Sequence, residues 1–489
     1  MGKVAARRDD PHGVTGWSGA VLQSRTMNAP IETIAALATP PGESGLAVVR
    51  LSGPGCRSIL ADIFRRMDGD ALADPGHRRT YHGRIVSNNI DIIDEVMVSV
   101  MLAPESYTGE DVIEISCHGG PVGVSRLLDT IYEAGAMAAE PGEFTKRAFL
   151  NGKIDLIQAE AVADIIHSRS ELQHRVAQRQ LEGGLSQRIN VLADETVDLL
   201  AIIEANIDFI EEGIDTVNYD DALATLADQV VVLEGLLESA PMARRFHGGY
   251  PVVIAGPVNA GKSSLFNRLA GERRAIVTET PGTTRDVLRE SIVLEGLLFL
   301  LQDTAGLRRD TADPVEAMGV DLAAEAVARA DLVLFVIDGS ERPGEDVAAA
   351  LRGLDDGRTL VVVNKSDLPP HPEVNSMIGC AADLETVVVS AESGDGLAEL
   401  QKALVRKVGG ETLSRIARER FVLNTRLATL LDRARRHILE LESGLQERKP
   451  LELLAEDARA VLAAYEEATG RRYSDGLLDA IFSRFCLGK

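Results

Sequence analysis

The chain has 489 residues, too many for one hydrophobic core, and a prior of two to four domains follows. With 45% hydrophobic and 26% charged residues it has the balance of a soluble globular protein, and no run approaches the uninterrupted apolar length of a membrane span. A formal charge of −24 argues against a protein that holds nucleic acid mainly by neutralising phosphates, so any RNA contact has to be local or shared with a partner.

Residues 1–27 are polar and unpatterned and are expected to be a disordered tail, with Met27 as an alternative natural start. Asp9-Asp10 and the lack of an apolar core exclude a secretory signal, and the expected location is cytoplasmic. Cys56, Cys117, Cys380 and Cys486 have no C-x-x-C pairing, which argues against a disulfide framework or a structural zinc. Over 28–150 short apolar runs at 34–37, 46–51, 96–101 and 112–116 read as strands, and 56–64 and 122–134 read as helices. Pro40-Pro41-Gly42 and Thr108-Gly109-Glu110-Asp111 are the turn signals, so this stretch is an α+β unit.

Beyond Pro141-Gly142 the texture becomes helical. Residues 154–166 are rich in helix formers, and Leu185, Ile189, Leu192, Leu199, Ile203 and Ile210 recur at spacings of three, four or seven. Such a stripe needs other helices to cover it, and 423–441 and 451–468 have the same texture. The helical domain is therefore expected to be discontinuous, built from 151–247 and 411–489, with 248–410 inserted between its halves. Insertion needs closely spaced termini, which a doubly wound α/β domain provides.

The inserted segment carries the chemistry. An apolar run, Val252-Val253-Ile254-Ala255, ends in a G-x-x-x-x-G-K-S loop from Gly256 to Ser263, and a helix start follows at Ser264. Glycines such as Gly261 let backbone N–H groups around Asn259 and Ala260 turn towards phosphate oxygens; Lys262 supplies a point charge to the β and γ phosphates, and the Ser263 hydroxyl suits Mg²⁺. Asp303-Thr304-Ala305-Gly306 follows the strand at 297–301 and offers an Asp for the Mg²⁺ shell and a Gly amide for the γ-phosphate. Asn364-Lys365-Ser366-Asp367 follows the strand at 360–363, at the carboxyl edge of a parallel sheet where ligands bind. A carboxylate at Asp367 accepts two hydrogen bonds from guanine and would be left unpaired against adenine. Ser390-Ala391, after 387–389, completes the base pocket. Four such motifs in this order resemble the translation-factor-like GTPases, with a Ras-like doubly wound sheet.

Further residues narrow the resemblance. Asn259 inside the loop, the segment Thr278-Glu279-Thr280-Pro281-Gly282-Thr283-Thr284-Arg285-Asp286, the helical insertion and the ending Cys486-Leu487-Gly488-Lys489 together resemble the MnmE (TrmE) family of tRNA-modification GTPases. So do Ala38-Thr39-Pro40-Pro41-Gly42, Cys117-His118-Gly119-Gly120-Pro121 and Asn151-Gly152-Lys153-Ile154-Asp155, and the similarity runs from Ile31 to Lys489. It departs in Cys117, where members commonly have Gly, and in Asp313-Pro314, which makes the segment before Glu316 one residue longer.

The resemblance implies a homodimer joined through N-terminal folate-binding domains and a K⁺-dependent GTPase domain. It implies work with an FAD-dependent partner protein, as a heterotetramer, on C5 of the wobble uridine of certain tRNAs. There an aminomethyl or carboxymethylaminomethyl group is added, with a tetrahydrofolate derivative (5,10-methylene- or 5-formyl-) as one-carbon donor. It places Arg50, Glu114, Lys153 and Lys489 at the folate, and Cys486 near the one-carbon unit or the flavin. Leu307 stands where many small GTPases place a water-positioning Gln, and Glu316 matches the position the family uses instead; an acid there is also what a helix start favours. K⁺ would replace an arginine finger, held by Asn259, by carbonyls near Thr278 and Thr280 and by Thr283, with Thr284 joining Ser263 on Mg²⁺. Asn259 can instead only brace its loop.

Two other readings compete. A pure GTP switch for RNA assembly shares the nucleotide motifs but has no use for the 28–150 unit or the terminal Cys-Leu-Gly-Lys. In a structural reading 31–150 only dimerises, and binding of a tetrahydrofolate derivative separates that case. Arg406, Lys407, Arg415, Arg418, Arg420, Arg426, Arg433, Arg435 and Arg436 form either an RNA patch or a solvated helix face. His118 either touches substrate or is a turn or core residue.

Overall fold

A computed structural model of the chain describes residues 32–87, 91–208, 218–238, 240–272, 289–303, 327–354, 357–379, 384–418 and 421–489. It separates into two compact units, one ending at Glu140 but including Leu487–Lys489, the other running from Pro141 to Cys486.

The first unit is one mixed sheet with helices on one face. Its strands are β1 (Ile34–Leu37), β2 (Ser44–Ser52), β3 (Phe64–Arg66), β4 (Arg79–Ser87), β5 (Asp91–Met101), β6 (Val112–Gly119) and β7 (Met137–Ala138), in the order β3-β4-β5-β6-β2-β1-β7. Helices α1 (Cys56–Ile63) and α2 (Pro121–Glu133) supply the cover; α2 starts at Pro121, whose fixed φ and missing N–H suit a first helical position. Alternation along β2 and β6 sends Val49, Leu51, Ile113 and Ile115 into the core with Ile59, Leu60 and Leu127. The residues between them, Arg50 and Glu114 among them, point to the opposite face, and these two are direct cross-strand partners. Strands β3, β4 and β7 were not expected from the sequence. β4 buries only Gly83 and Ile85 among polar and basic residues, so its alternation is too faint to read.

The second unit contains a helical part and a second sheet. Along the chain come α3 (Glu143–Leu150), α4 (Leu156–His167), α5 (Glu171–Leu181), α6 (Gly184–Asp208), α7 (Tyr219–Leu237) and α8 (Ala240–Gly248). A capping box opens α4: Asp155 Oδ1 accepts the Gln158 N–H at 2.9 Å and Gln158 Oε1 accepts the Asp155 N–H at 3.0 Å. The sheet that follows holds β8 (Tyr250–Ala255), β9 (Arg289–Leu294), β10 (Leu297–Asp303), β11 (Leu332–Asp338), β12 (Thr359–Asn364) and β13 (Glu385–Val388). Its order is β13-β12-β11-β8-β10-β9, parallel throughout except at β9. Between and after these strands lie α9 (Lys262–Glu272), α10 (Glu345–Arg352), α11 (Pro372–Gly379) and α12 (Leu397–Arg418). The doubly wound arrangement brings the carboxyl ends of β8, β10, β11 and β12 to one edge.

After that segment the chain returns to helix: α13 (Thr425–Gln446), α14 (Leu451–Thr469) and α15 (Asp475–Phe482). One apolar core joins Leu185, Ile189, Leu192, Leu199 and Ile203 of the first half to Leu427, Leu431, Ile438, Val461 and Tyr465 of the second. The stripe on α6 thus finds its cover across the insertion, and the helical domain is discontinuous; Ile210 lies outside the described residues. At the seam Arg426 donates to Glu160 at 2.8 Å and to the carbonyl of Glu467 at 3.1 Å, and Asn424 donates to Glu160 at 2.9 Å. Among the described residues no helix is long and apolar enough to cross a membrane.

Candidate functional site

The loop from Gly256 to Gly261 links β8 to α9 through left-handed backbone. Gly256 has φ 137° and packs so closely on β11 that a Cβ there would lie 2.1 Å from the Val336 carbonyl oxygen. Gly261 has φ 88°, and a Cβ would lie 2.2 Å from Asn364 Nδ2. Asn259 holds φ 61° without being glycine and is exposed. Asn364 explains the tight fit: its Nδ2 donates to the Ala260 carbonyl at 2.9 Å, and its Oδ1 accepts the Ala391 N–H at 3.0 Å. One buried side chain therefore ties the phosphate loop to the base-pocket loop.

Lys262, the first residue of α9, donates from Nζ to the Pro257 carbonyl at 2.6 Å, which holds its ammonium over the loop. Ser263 Oγ donates to Asp303 Oδ2 at 2.7 Å. Cis oxygens of an octahedral Mg²⁺ at about 2.1 Å lie roughly 3 Å apart, so the pair fits that ion's shell. Ser264 follows on the exposed first turn of α9, beside a helix N-terminus that favours phosphate.

At the base end, buried Ser390 donates to Asp367 Oδ1 at 2.5 Å and accepts the Ser393 N–H at 3.0 Å, which aims the exposed Asp367 carboxylate. Lys365 holds φ 65° and its Nζ meets Asp338 Oδ2 at 2.5 Å. Burial pushes the Asp338 carboxyl upward, but the hydrogen bonds from Lys365 and Ser340 outweigh it and hold its pKa below the usual range. Asp338 was missed from the sequence. It ends the buried strand β11 as Asp303 ends β10, but without a following motif like the one that marked Asp303.

Thr304, Ala305, Gly306, Thr278, Thr280, Thr283, Thr284 and Glu316 lie outside the described residues. The structure thus brings together Asn259, Ala260, Gly261, Lys262, Ser263, Ser264, Asp303, Asn364, Lys365, Asp367, Ser390 and Ala391.

A second cluster lies on the open face of the first unit. Arg50 donates from Nε to Glu114 Oε1 at 2.9 Å and from a guanidinium nitrogen to the Gly488 carbonyl at 3.1 Å, and its Cζ lies 5.8 Å from the Tyr107 ring centroid. The chain's end is tied down there: Gly488, at φ 87°, packs so closely on Leu37 and Ala38 that a Cβ would lie 2.4 Å from the Leu37 carbonyl oxygen. Burial, then repulsion from Arg50, lower the pKa of Lys489, with Glu114 acting against them. Two cations so confined with one acid suit an anionic ligand whose carboxylates relieve the repulsion. Lys153 is not in this unit; it follows α3 in the second, where its N–H donates to the Ala148 carbonyl at 2.9 Å. Cys486 is a free, exposed thiol at the end of the second unit.

Cys117 is buried, and burial first and the Asp94 charge second push its thiol up to about 11, which keeps it protonated and unreactive. His118 is exposed, with Nδ1 2.7 Å from Asp94 Oδ1 and its N–H donating to Asp94 Oδ2 at 2.7 Å. That bond and the Asp94 charge raise its pKa. Of the nine candidate basic residues, Arg420 and the side chains of Arg415 and Arg418 lie outside the described residues, and five others are paired with acids. Arg426 is half-buried against Glu160, Arg433 pairs with Glu467, Arg435 and Arg436 both pair with Asp432, and Arg406 pairs with Glu385.

Comparison with known proteins gives two family matches. Residues 33–153 match the family described as GTP-binding protein TrmE N-terminus, and residues 156–486 match the MnmE helical domain. The tRNA modification GTPase MnmE of Thermotoga petrophila is 40% identical over 462 residues, covering 94% of this chain and 100% of that protein. The protein of that name from Geobacter metallireducens is 42% identical over 463 residues, covering 94% and 99%.

Proposed function

The chain belongs to the MnmE family of tRNA-modification GTPases, and on that premise we propose that it couples GTP hydrolysis to a one-carbon-dependent modification at C5 of the wobble uridine of certain tRNAs. It acts in the cytoplasm as a homodimer with an FAD-dependent partner, as a heterotetramer. It adds an aminomethyl or carboxymethylaminomethyl group and takes the carbon from 5,10-methylene- or 5-formyl-tetrahydrofolate.

In the nucleotide site Lys262 leaves the Pro257 carbonyl for the β and γ phosphates. Ser263, Asp303 and Thr284 hold Mg²⁺, whose charge offsets that developing on the phosphates. Asn364, Asp367, Ser390 and Ala391 hold guanine, Thr304 and Ala305 belong to the same nucleotide site, and the Gly306 amide serves the γ-phosphate. Asn259, Thr278, Thr280 and Thr283 hold K⁺, which supplies the positive charge an arginine finger gives elsewhere. Glu316 orients the water that attacks the γ-phosphorus, giving GDP and phosphate. Glu316→Ala is expected to lose turnover while nucleotide affinity stays nearly unchanged; equal loss of both, or of neither, refutes the role.

Arg50 and Lys489 take the glutamate carboxylates of the folate, Glu114 its ring N–H groups, and Lys153 completes the site. Cys486 stands near the one-carbon unit or the partner's flavin. The observation that supports this reading is the Gly488 carbonyl accepting from Arg50 at 3.1 Å, because it ties the terminal residues to Arg50, far from the nucleotide motifs in sequence. Truncation after Phe485 tests it. Loss of tRNA modification with GTP hydrolysis retained is expected, whereas full modification activity would show that Cys486 and Lys489 are dispensable.

A further inference from the structure

We propose that the α13–α14 hairpin carries a divalent transition-metal site, formed by His437, Glu440 and Asp457, that takes Zn²⁺ with water in its remaining positions. His437 and Glu440 are three residues apart on α13 and share one face; Asp457 projects from α14. One ligand atom from each lies within 4.8 Å of the others, and among the described residues this is the one group of three or more such side chains. His437 Nδ1 and Glu440 Oε2 are already 2.9 Å apart, so the closure to a Zn²⁺ sphere, with bonds of about 2.0–2.2 Å, falls on the rotamers of Glu440 and Asp457.

Two further observations favour a cation over an ordinary surface cluster. Among the described residues no Lys or Arg forms an ion pair with Glu440 or Asp457; Lys449, whose charge acts on Asp457 from beyond ion-pair distance, has its ammonium 3.3 Å from Glu447. The backbone carrying the ligands is also fixed, because Ile438, Leu441, Leu454 and Ala458 beside them are all fully buried between the helices. Sites on packed helices hold their geometry better than sites on loops. A donor set of one imidazole and two carboxylates suits Zn²⁺, Co²⁺ or Mn²⁺ better than Mg²⁺ or Ca²⁺, which prefer oxygen alone. Glu440 is exposed, leaving room for water or an external ligand on the ion.

The test uses untagged full-length protein, stripped of metal, without nucleotide and with saturating Mg²⁺, so that the Ser263–Asp303 position does not contribute. Co²⁺ is the probe. One equivalent should bind, give visible d–d absorption and be displaced by Zn²⁺. His437→Gln, Glu440→Gln and Asp457→Asn should each weaken Co²⁺ binding by roughly 100-fold, with the melting midpoint in EDTA unchanged. Glu440 is too exposed for its substitution to unfold the hairpin, so that variant remains interpretable if either of the others is unstable. Cys486→Ser, run in parallel, should leave the band intact. Binding that survives all three ligand substitutions, binding lost only in Cys486→Ser, or no binding below about 1 mM would overturn the site.

Discussion

Ser390 is fully buried, and its hydroxyl donates to an Asp367 carboxylate that is itself exposed at the sheet edge. That bond aims the acid without removing it from a base, so the burial that sharpens discrimination has to come from the guanine ring. Charge-assisted hydrogen bonds are worth about 1.5–3 kcal/mol each, so Asp367→Asn should weaken GTP binding on the order of 10²-fold or more. The amide presents one acceptor and one donor, a match for xanthine, and XTP binding should rise in the same competition assay. Unchanged affinity for both nucleotides would remove Asp367 from the base pocket. Asp367 was legible because its motif follows an apolar strand. Asp338, which clasps Lys365 at 2.5 Å, was not, since a lone Asp ending a strand carries no spacing that points to its partner.

Among the elements, α6, α7 and α14 meet around Gln229, a fully buried polar residue on α7. Its Nε2 donates to the Leu192 carbonyl at 3.1 Å and to Glu195 at 3.1 Å, and its Oε1 accepts from Tyr465 at 3.2 Å. Burial, with Glu195 adding to it, pushes the Tyr465 phenol far up, so it stays a donor throughout the working pH range. Gln229→Ala would leave the Tyr465 hydroxyl buried without that acceptor and open a cavity, at a cost of about 2–4 kcal/mol. Tyr465→Phe removes the hydroxyl itself and should cost about 1 kcal/mol. Unfolding followed by circular dichroism should rank the two in that order; a Gln229→Ala no less stable than Tyr465→Phe would show the network to be incidental. The apolar stripe of α6 was legible because its period is local and its partners share it. Gln229 was not, because a polar residue in a helix reads as solvent-facing until α6 and α14 are placed over it. β4 was hidden for the opposite reason: its solvent-facing residues outnumber the two it buries.

At the scale of the whole molecule, the nucleotide segment is tied to its host helices by more than its two chain connections. Arg245 on α8 pairs with Asp331 at 2.8 Å, and Arg169 reaches Ser291 at 3.4 Å. We propose that the nucleotide domains of two copies also pair, and such pairing would act on the helical core through these bonds. K⁺ is the ion proposed to assemble that pair, through Asn259 in the phosphate loop. GTP hydrolysis and nucleotide-dependent self-association should both be at least about tenfold stronger in KCl than in NaCl, of the order of the charge stabilisation one oriented group contributes. Identical rates in the two salts would sink the idea. Whether Asn259 holds the ion or only braces the loop is decided by Asn259→Gly, because glycine accepts the φ of 61° at no steric cost and deletes only the side chain. Nucleotide affinity should survive that change while the advantage of K⁺ over Na⁺ disappears. If the advantage persists, the side chain is a brace and the ion is held by other groups.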